Sequence, residues 1–204
     1  ELSVLGQRPW RNPALLAQVG FCPDYDFLSP ELNGREYLRF VGGLHGMTPG
    51  QMAPRVDEVL QIVGMKKDAD RAMGGYSKGM RQRIKLAGSL LHKPQLLLLD
   101  EPLTGTDPMI RKEMIDLIKD LHKVHGHDII VSSHVLHEIE RMTHQVVLIY
   151  KGRAVASGEN SEILHLMSDH PHNIILEGQG KVELAKVLKA EGFIRAYRLI
   201  DDKK

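Results

Sequence analysis

The sequence predicts an α/β fold with a mostly parallel sheet, a largely helical subdomain and a small C-terminal α/β appendage. Three observations carry this. Leu96–Leu99 is a continuous apolar run of the kind found in strands whose two faces are both covered by helices. Strand-like and helix-like patterns alternate with short links from Lys93 onward, as in crossover-connected parallel strands. The stretch from about Pro30 to Leu91 repeats apolar residues at helical spacing almost throughout.

The elements follow in order. Gln18–Cys22 reads as a short buried strand stopped by Pro23. Asn33 and Glu36 form a capping box, and Tyr37, Leu38, Val41 and Leu44 then share one helical face. Val56, Val59, Leu60 and Val63 mark a second helix closed by Gly64. A third begins near Ser77-Lys78-Gly79, with Met80, Ile84, Ala87 and Leu91 as its stripe. Pro108 opens a helix to about Val124, carried by Ile110, Met114, Leu117, Ile118 and Leu121. Strand Asp128–Ser132, helix Val135–Met142, strand Gln145–Tyr150, a Lys151-Gly152 turn and strand Arg153–Ala156 complete this part. The segment 172–204 reads as strand, helix (Val182–Glu191, closed by Gly192) and strand. The methionines Met80, Met109, Met114 and Met142 fall mostly at core positions of these helices.

Composition narrows the function classes. The 204 residues are 42% hydrophobic and 26% charged, the balance of an ordinary globular chain. Net charge is +1, so no basic field points to nucleic acid. Cys22 is the only cysteine, which rules out an intramolecular disulfide and favours a reducing compartment. No run approaches the roughly 20 apolar residues of a membrane span. The chain has no initiator Met and is expected to begin partway through a domain.

In open parallel sheets, ligands sit beyond the carboxyl ends of the strands. Asp100 and Glu101 lie at that end of the Leu96–Leu99 strand, and His134 at that end of the next one. Asp100 suits Mg²⁺, a hard cation that takes carboxylate oxygens, and Glu101 could orient and deprotonate a water. The same residues also fit a buried strand that ends in solvated acids. Ser77 and Gly79 at a helix start offer free backbone N–H groups to an anion, or Ser77 is an N-cap and nothing more. Asp107 before Pro108 reads equally as a plain helix cap, and a lone histidine such as His134 is commonly structural. His122, His125 and His127 near one helix end suggest a metal, yet no cysteine joins them, and a solvated polar face accounts for them better.

The order and spacing of these pieces resemble the nucleotide-binding domain of ABC transporters. Tyr76–Arg83 resembles the signature motif, Leu96–Pro102 the Walker B strand with its glutamate, Leu103–Asp107 the D-loop and His134 the switch histidine. The strand through Pro23 resembles the approach to the Q-loop, and the likeness extends from the N-terminus to about Gly158. The resemblance implies a partial P-loop NTPase (ABC ATPase) fold, divided into partial core with Q-loop region (1–29), helical subdomain (30–92), core with Walker B, D-loop and switch histidine (93–171) and appendage (172–204). It implies ATP and Mg²⁺, with Asp100, and Asp24 in the Q-loop position, serving the metal. Glu101 would be the general base and His134 the γ-phosphate contact in cis. Ser77, Lys78, Gly79 and Met80 would serve the ATP of a second ATPase subunit in a head-to-tail dimer, with Asp107 linking the two sites. Transmembrane permease subunits would dock on the helical unit, holding the protein at the cytoplasmic face of the membrane. The Ser-Lys-Gly-Met form is similar to that of ATPases serving ABC-2-type exporters.

Three departures stand out. The phosphate loop G-x-x-x-x-G-K-[ST] does not occur, and Gly178–Val182 is its only faint echo. In the family that loop precedes the strand that Leu2–Gly6 resembles, so it is expected N-terminal to Glu1, and the chain alone is expected to lack meaningful ATPase activity. Asp24 stands where the Q-loop has Gln, and Lys78 and Met80 stand where Gly and Gln are commoner in the signature. Two other functions fit the same motifs: a soluble ABC-type ATPase of translation or DNA maintenance, and a non-catalytic interaction module.

Overall fold

A computed structural model of the chain describes residues 2–161, 163 and 180–193. The backbone divides into two units at Met142–Thr143. In the first, strands β1 (Val19–Cys22), β2 (Leu96–Asp100) and β3 (Asp128–Ser132) form a parallel sheet in the order β1-β2-β3. Val19 pairs with Leu96, and Leu96 with Asp128. This register sets the carboxyl ends of β2 and β3 side by side, with Asp100 opposite Ser132.

The helices are α1 (Pro13–Leu16), α2 (Gly34–Leu44), α3 (Pro49–Ile62), α4 (Lys78–Leu90), α5 (Pro108–Lys123) and α6 (Leu136–Met142). Asn33 and Glu36 form the expected capping box of α2, each side chain accepting the other's backbone N–H at 2.9 Å. The core joins Leu97 and Leu99 of β2 to Leu38, Val59, Leu60, Ile84, Leu90, Met114 and Ile118 of the helices. Leu44, expected on the buried face of α2, is exposed, as is Met109 of α5. Leu2–Gly6 is not a strand: Val4 and Gln7 exchange hydrogen bonds of 2.9 Å across a turn in which Leu5 and Gly6 both have positive φ.

Among the described residues helices cover one face of this sheet. Gly20, Cys22, Leu97 and Leu99 face the helices, whereas Phe21 and Ile130, flanking Leu98 on the opposite face, are 56% and 61% exposed. The reason is topological. Both crossovers step the same way across the sheet, and right-handed crossovers with a common direction put their helices on one face. Covering the second face requires a reversal of strand order.

Helix α4 is the hub of this unit. Its last carbonyls, Leu90 and Leu91, accept hydrogen bonds from the buried guanidinium of Arg55, whose Nε lies 2.9 Å from the Leu91 oxygen; Glu58 pairs with the same group at 2.8 Å. An Arg55→Met substitution keeps the packing but strands those carbonyls, and is expected to lower the unfolding free energy by about 2 kcal/mol in a urea titration.

In the second unit, β4 (Gln145–Tyr150) pairs antiparallel with β5 (Arg153–Glu159) through the expected Lys151-Gly152 turn. Strand β5 runs three residues past the expected end. The antiparallel pairing is what a two-residue turn requires of the strands it joins. Helix α7 (Lys181–Ala190) matches the helix expected in the appendage. The two strands expected in that segment lie outside the described residues.

Candidate nucleotide-hydrolysis site

The parallel register brings three of the expected site residues together. Glu101 directly follows β2 with a φ of 46°, a left-handed backbone that a non-glycine residue adopts only when its surroundings hold it there. Two groups of Ser132 do so: the Glu101 N–H donates to the Ser132 carbonyl at 3.2 Å and to its Oγ at 3.1 Å. Ser132 Oγ in turn donates to Asp100 Oδ1 at 2.6 Å. One serine at the end of β3 thus fixes the last residue of β2 and the acid that follows it.

The Glu101 carboxylate is held at both oxygens. Thr104 Oγ1 donates to Oε2 at 3.1 Å, and His134 Nδ1 lies 2.8 Å from Oε1. The hydrogen bond and charge of Glu101 raise the His134 pKa above the ordinary histidine value, with smaller contributions in the same direction from Glu138 and Asp24. Asp24, just beyond β1, adds the smallest of these contributions. A raised histidine pKa means the pair contributes fully to stability below about pH 6.5 and loses that contribution as pH rises through the raised value. His134 is accordingly expected to titrate above 6.5 by NMR. Glu101→Gln should bring its midpoint back down; an unchanged midpoint would show that the pair does not form in solution.

The second group of expected residues sits at the start of α4. Ser77 caps the helix, its Oγ accepting from the Met80 N–H at 3.3 Å. The preceding N–H groups of the first turn have no partner within the helix, which leaves an anion-attracting end. Gly79 allows this end to lie against α5, since a Cβ there would fall 2.6 Å from Ile110 Cγ2. Lys78 reaches over the loop before α5: a Cβ on Gly105 would sit 2.0 Å from its Nζ. Asp107 caps α5 through Oδ1, which accepts from the Met109 and Ile110 N–H groups at 3.0 Å. Met80 is turned inward, its Sδ 3.3 Å from the Arg71 guanidinium, so its side chain does not join the helix-end N–H groups.

For Mg²⁺ the donor chemistry fits in part. Asp100 offers a carboxylate oriented by Ser132, which suits a hard cation whose remaining ligands are water and phosphate oxygens. Among the described residues no group of three or more His, Cys, Asp or Glu could hold a metal alone. Two of the three histidines near the end of α5 are used otherwise: His122 and His127 bond through Nδ1 to the carbonyls of His127 and Pro94. Burial pushes the Cys22 thiol up to about 11, so it is no nucleophile.

Sequence reasoning missed Lys85 and Arg81, the two α4 side chains that grip the loop after β1. The signal for Lys85 was present: a single charge inside the run Ile84–Leu91, which is otherwise apolar or small.

An acid, a glutamate and a histidine thus share the carboxyl rim of a parallel sheet, and the comparisons give the family. The ABC transporter family profile matches residues 3–104. An uncharacterized ABC transporter ATP-binding protein of Bacillus subtilis, YxlF, is 37% identical over 145 residues, 71% of this chain and 48% of that protein. The linearmycin resistance ATP-binding protein LnrL of B. subtilis is 34% identical over 72% of this chain and 47% of its own length. The bacitracin transport ATP-binding protein BcrA of Bacillus licheniformis is 35% identical over 75% and 49%. Among solved structures, cbiO1 of Clostridium perfringens, part of the ABC transporter complex cbiONQ, superposes with a TM-score of 0.68 at 25% identity, over 77% of this chain and 63% of that one. The chain belongs to the ABC transporter family. It spans about half the length of the curated relatives it matches.

Proposed function

We propose that the protein is the ATPase of an ABC transporter of the exporter type, and that Glu101 activates the attacking water. The observation that carries this is the two-sided hold on Glu101. Thr104 and His134 fix both carboxylate oxygens, beside an Asp100 that Ser132 orients. A general base acts only when its oxygen is held toward the water it deprotonates. Asp100 would hold Mg²⁺, which neutralises phosphate charge when bound. His134 would reach the γ-phosphate in cis, and Asp24 would serve the metal from the Q-loop position. Ser77 and Gly79 would present the helix-end N–H groups to the ATP of a second subunit, with Asp107 at the junction.

Membrane subunits would dock on the helical unit. A groove of about 240 Å³, lined among others by Phe21, Phe27, Tyr37, Val41 and His45, offers an apolar seat there. Phe27 lies between Tyr25 and Tyr37, with ring centroids 5.7 and 6.2 Å away, so the Asp24 loop itself runs into this groove. No helix among the described residues is long and apolar enough to cross a membrane, and we place the protein at the cytoplasmic face through its permease. The transport and resistance relatives favour this reading over a translation or DNA-maintenance ATPase.

The test is to express the complete protein beside its membrane subunits. Co-purification in detergent with Mg²⁺-dependent phosphate release from ATP is the expected result. Recovery with ribosomes or DNA, or turnover indifferent to Mg²⁺, would contradict it.

A further inference from the structure

Lys85 is 4% exposed, in the middle of α4, and its ammonium meets three successive carbonyl oxygens. Nζ lies 2.8 Å from the oxygen of Pro23, 2.9 Å from that of Asp24 and 3.2 Å from that of Tyr25. An ammonium has three donors, so this cradle takes all of them. One helical turn earlier on the same face, Arg81 binds Asp26 through two nitrogens and the Leu28 carbonyl at 3.0 Å. Its guanidinium holds the Asp26 carboxyl below the usual carboxylate range. Residues 23–28 are thus fastened to α4 by two cations, four residues apart.

A buried lysine is a costly way to fill space. Taking an ammonium out of water is unfavourable unless its hydrogen bonds are replaced, and an apolar side chain of similar length packs without that cost. Packing alone does not account for a lysine here; a need to hold the carbonyls does. Those carbonyls belong to the segment that carries Asp24, in the Q-loop position, and Phe27, in the groove.

We propose that Lys85 is a positioning residue: its ammonium locks the loop 23–25 onto α4, so that Asp24 and the helix end at Ser77 move as one piece. The catalytic half of this statement rests on the ATPase reading above; the lock itself does not.

The test uses Lys85→Met and Lys85→Ala. In the parent protein, ¹⁵N relaxation should show residues 24–27 as rigid as α4, and the Lys85 ammonium should give its own slowly exchanging ¹⁵N signal. In Lys85→Met the order parameters of 24–27 should fall from about 0.85 to below about 0.6, with α4 and β2 unchanged. In Lys85→Ala, ammonium chloride should restore rigidity by refilling the cradle, whereas tetramethylammonium chloride at equal ionic strength should not. In the complete protein, kcat should drop by about tenfold with KM for ATP little changed, as for lost alignment rather than lost binding. The proposal is overturned if 24–27 stay rigid in Lys85→Met, if loosening spreads equally through α4 and β2, if both salts rescue alike, or if a freed loop leaves kcat intact. A parent protein without ATP turnover would sink the ATPase reading instead, and the relaxation and rescue results would still decide the lock.

Discussion

Glu101→Gln is expected to lower ATP turnover of the complete protein by at least about 100-fold, the usual effect of losing a positioned general base. Glutamine keeps an oxygen to accept from Thr104 and the same length and shape, so the turn after β2 should survive. What it cannot do is take a proton from water. The effect should therefore appear in kcat, while ATP binding and thermal unfolding stay close to those of the parent. Single-turnover phosphate release separates the step from product release. A variant that kept half its turnover would remove Glu101 from the role of base and leave it as a structural partner of His134.

The largest loss of stability is expected at Gly20. This residue lies in β1 directly beneath the last turn of α4. A Cβ there would stand 2.3 Å from the Ser89 carbonyl oxygen, 2.7 Å from Leu97 Cδ2 and 3.0 Å from Pro94 Cγ. The first of these contacts is backbone, so no rotamer change relieves it; the helix must lift from the strand. Overpacking of this kind costs typically 1–3 kcal/mol, and Gly20→Ala is placed at the upper end, about 3 kcal/mol. Because native domains are stable by only about 5–15 kcal/mol, a clear shift of the urea midpoint should follow. Lifting α4 would also disturb the seat of Lys85, so residues 24–27 should loosen in the same variant.

The elements that local chemistry dictates were legible in the sequence. Asn33 and Glu36 announced a capping box, Pro108 a helix start, Lys151-Gly152 a hairpin turn, and the alternation from Leu96 to Ser132 the parallel strands, and each is present. The candidate site residues were legible as a series of motifs, but their bonds were not. Nothing in the spacing says that Ser132 grips both Asp100 and the Glu101 backbone, because that depends on a register set by the whole sheet. The loop of Asp24 illustrates the same limit: it is held by Lys85 and Arg81, sixty-one and fifty-seven positions from Asp24 in sequence. Which face of the outer strands is covered was not legible for a further reason. Phe21 and Ile130 have the residue types of a covered strand, but which face the helices cover follows from strand order, a property of the chain path.

The central claim is that Glu101 and the Ser77 helix end complete one hydrolysis site between two subunits. Mixing subunits tests this most directly. Complete proteins carrying Glu101→Gln or Ser77→Arg should each be nearly inactive. In a mixed dimer, a site shared between subunits places both changes in one site and leaves the other intact, so mixing should recover turnover that neither variant has alone. If both residues served the same subunit's ATP, every site in the mixture would carry one defect, and the mixture would stay as inactive as its parts.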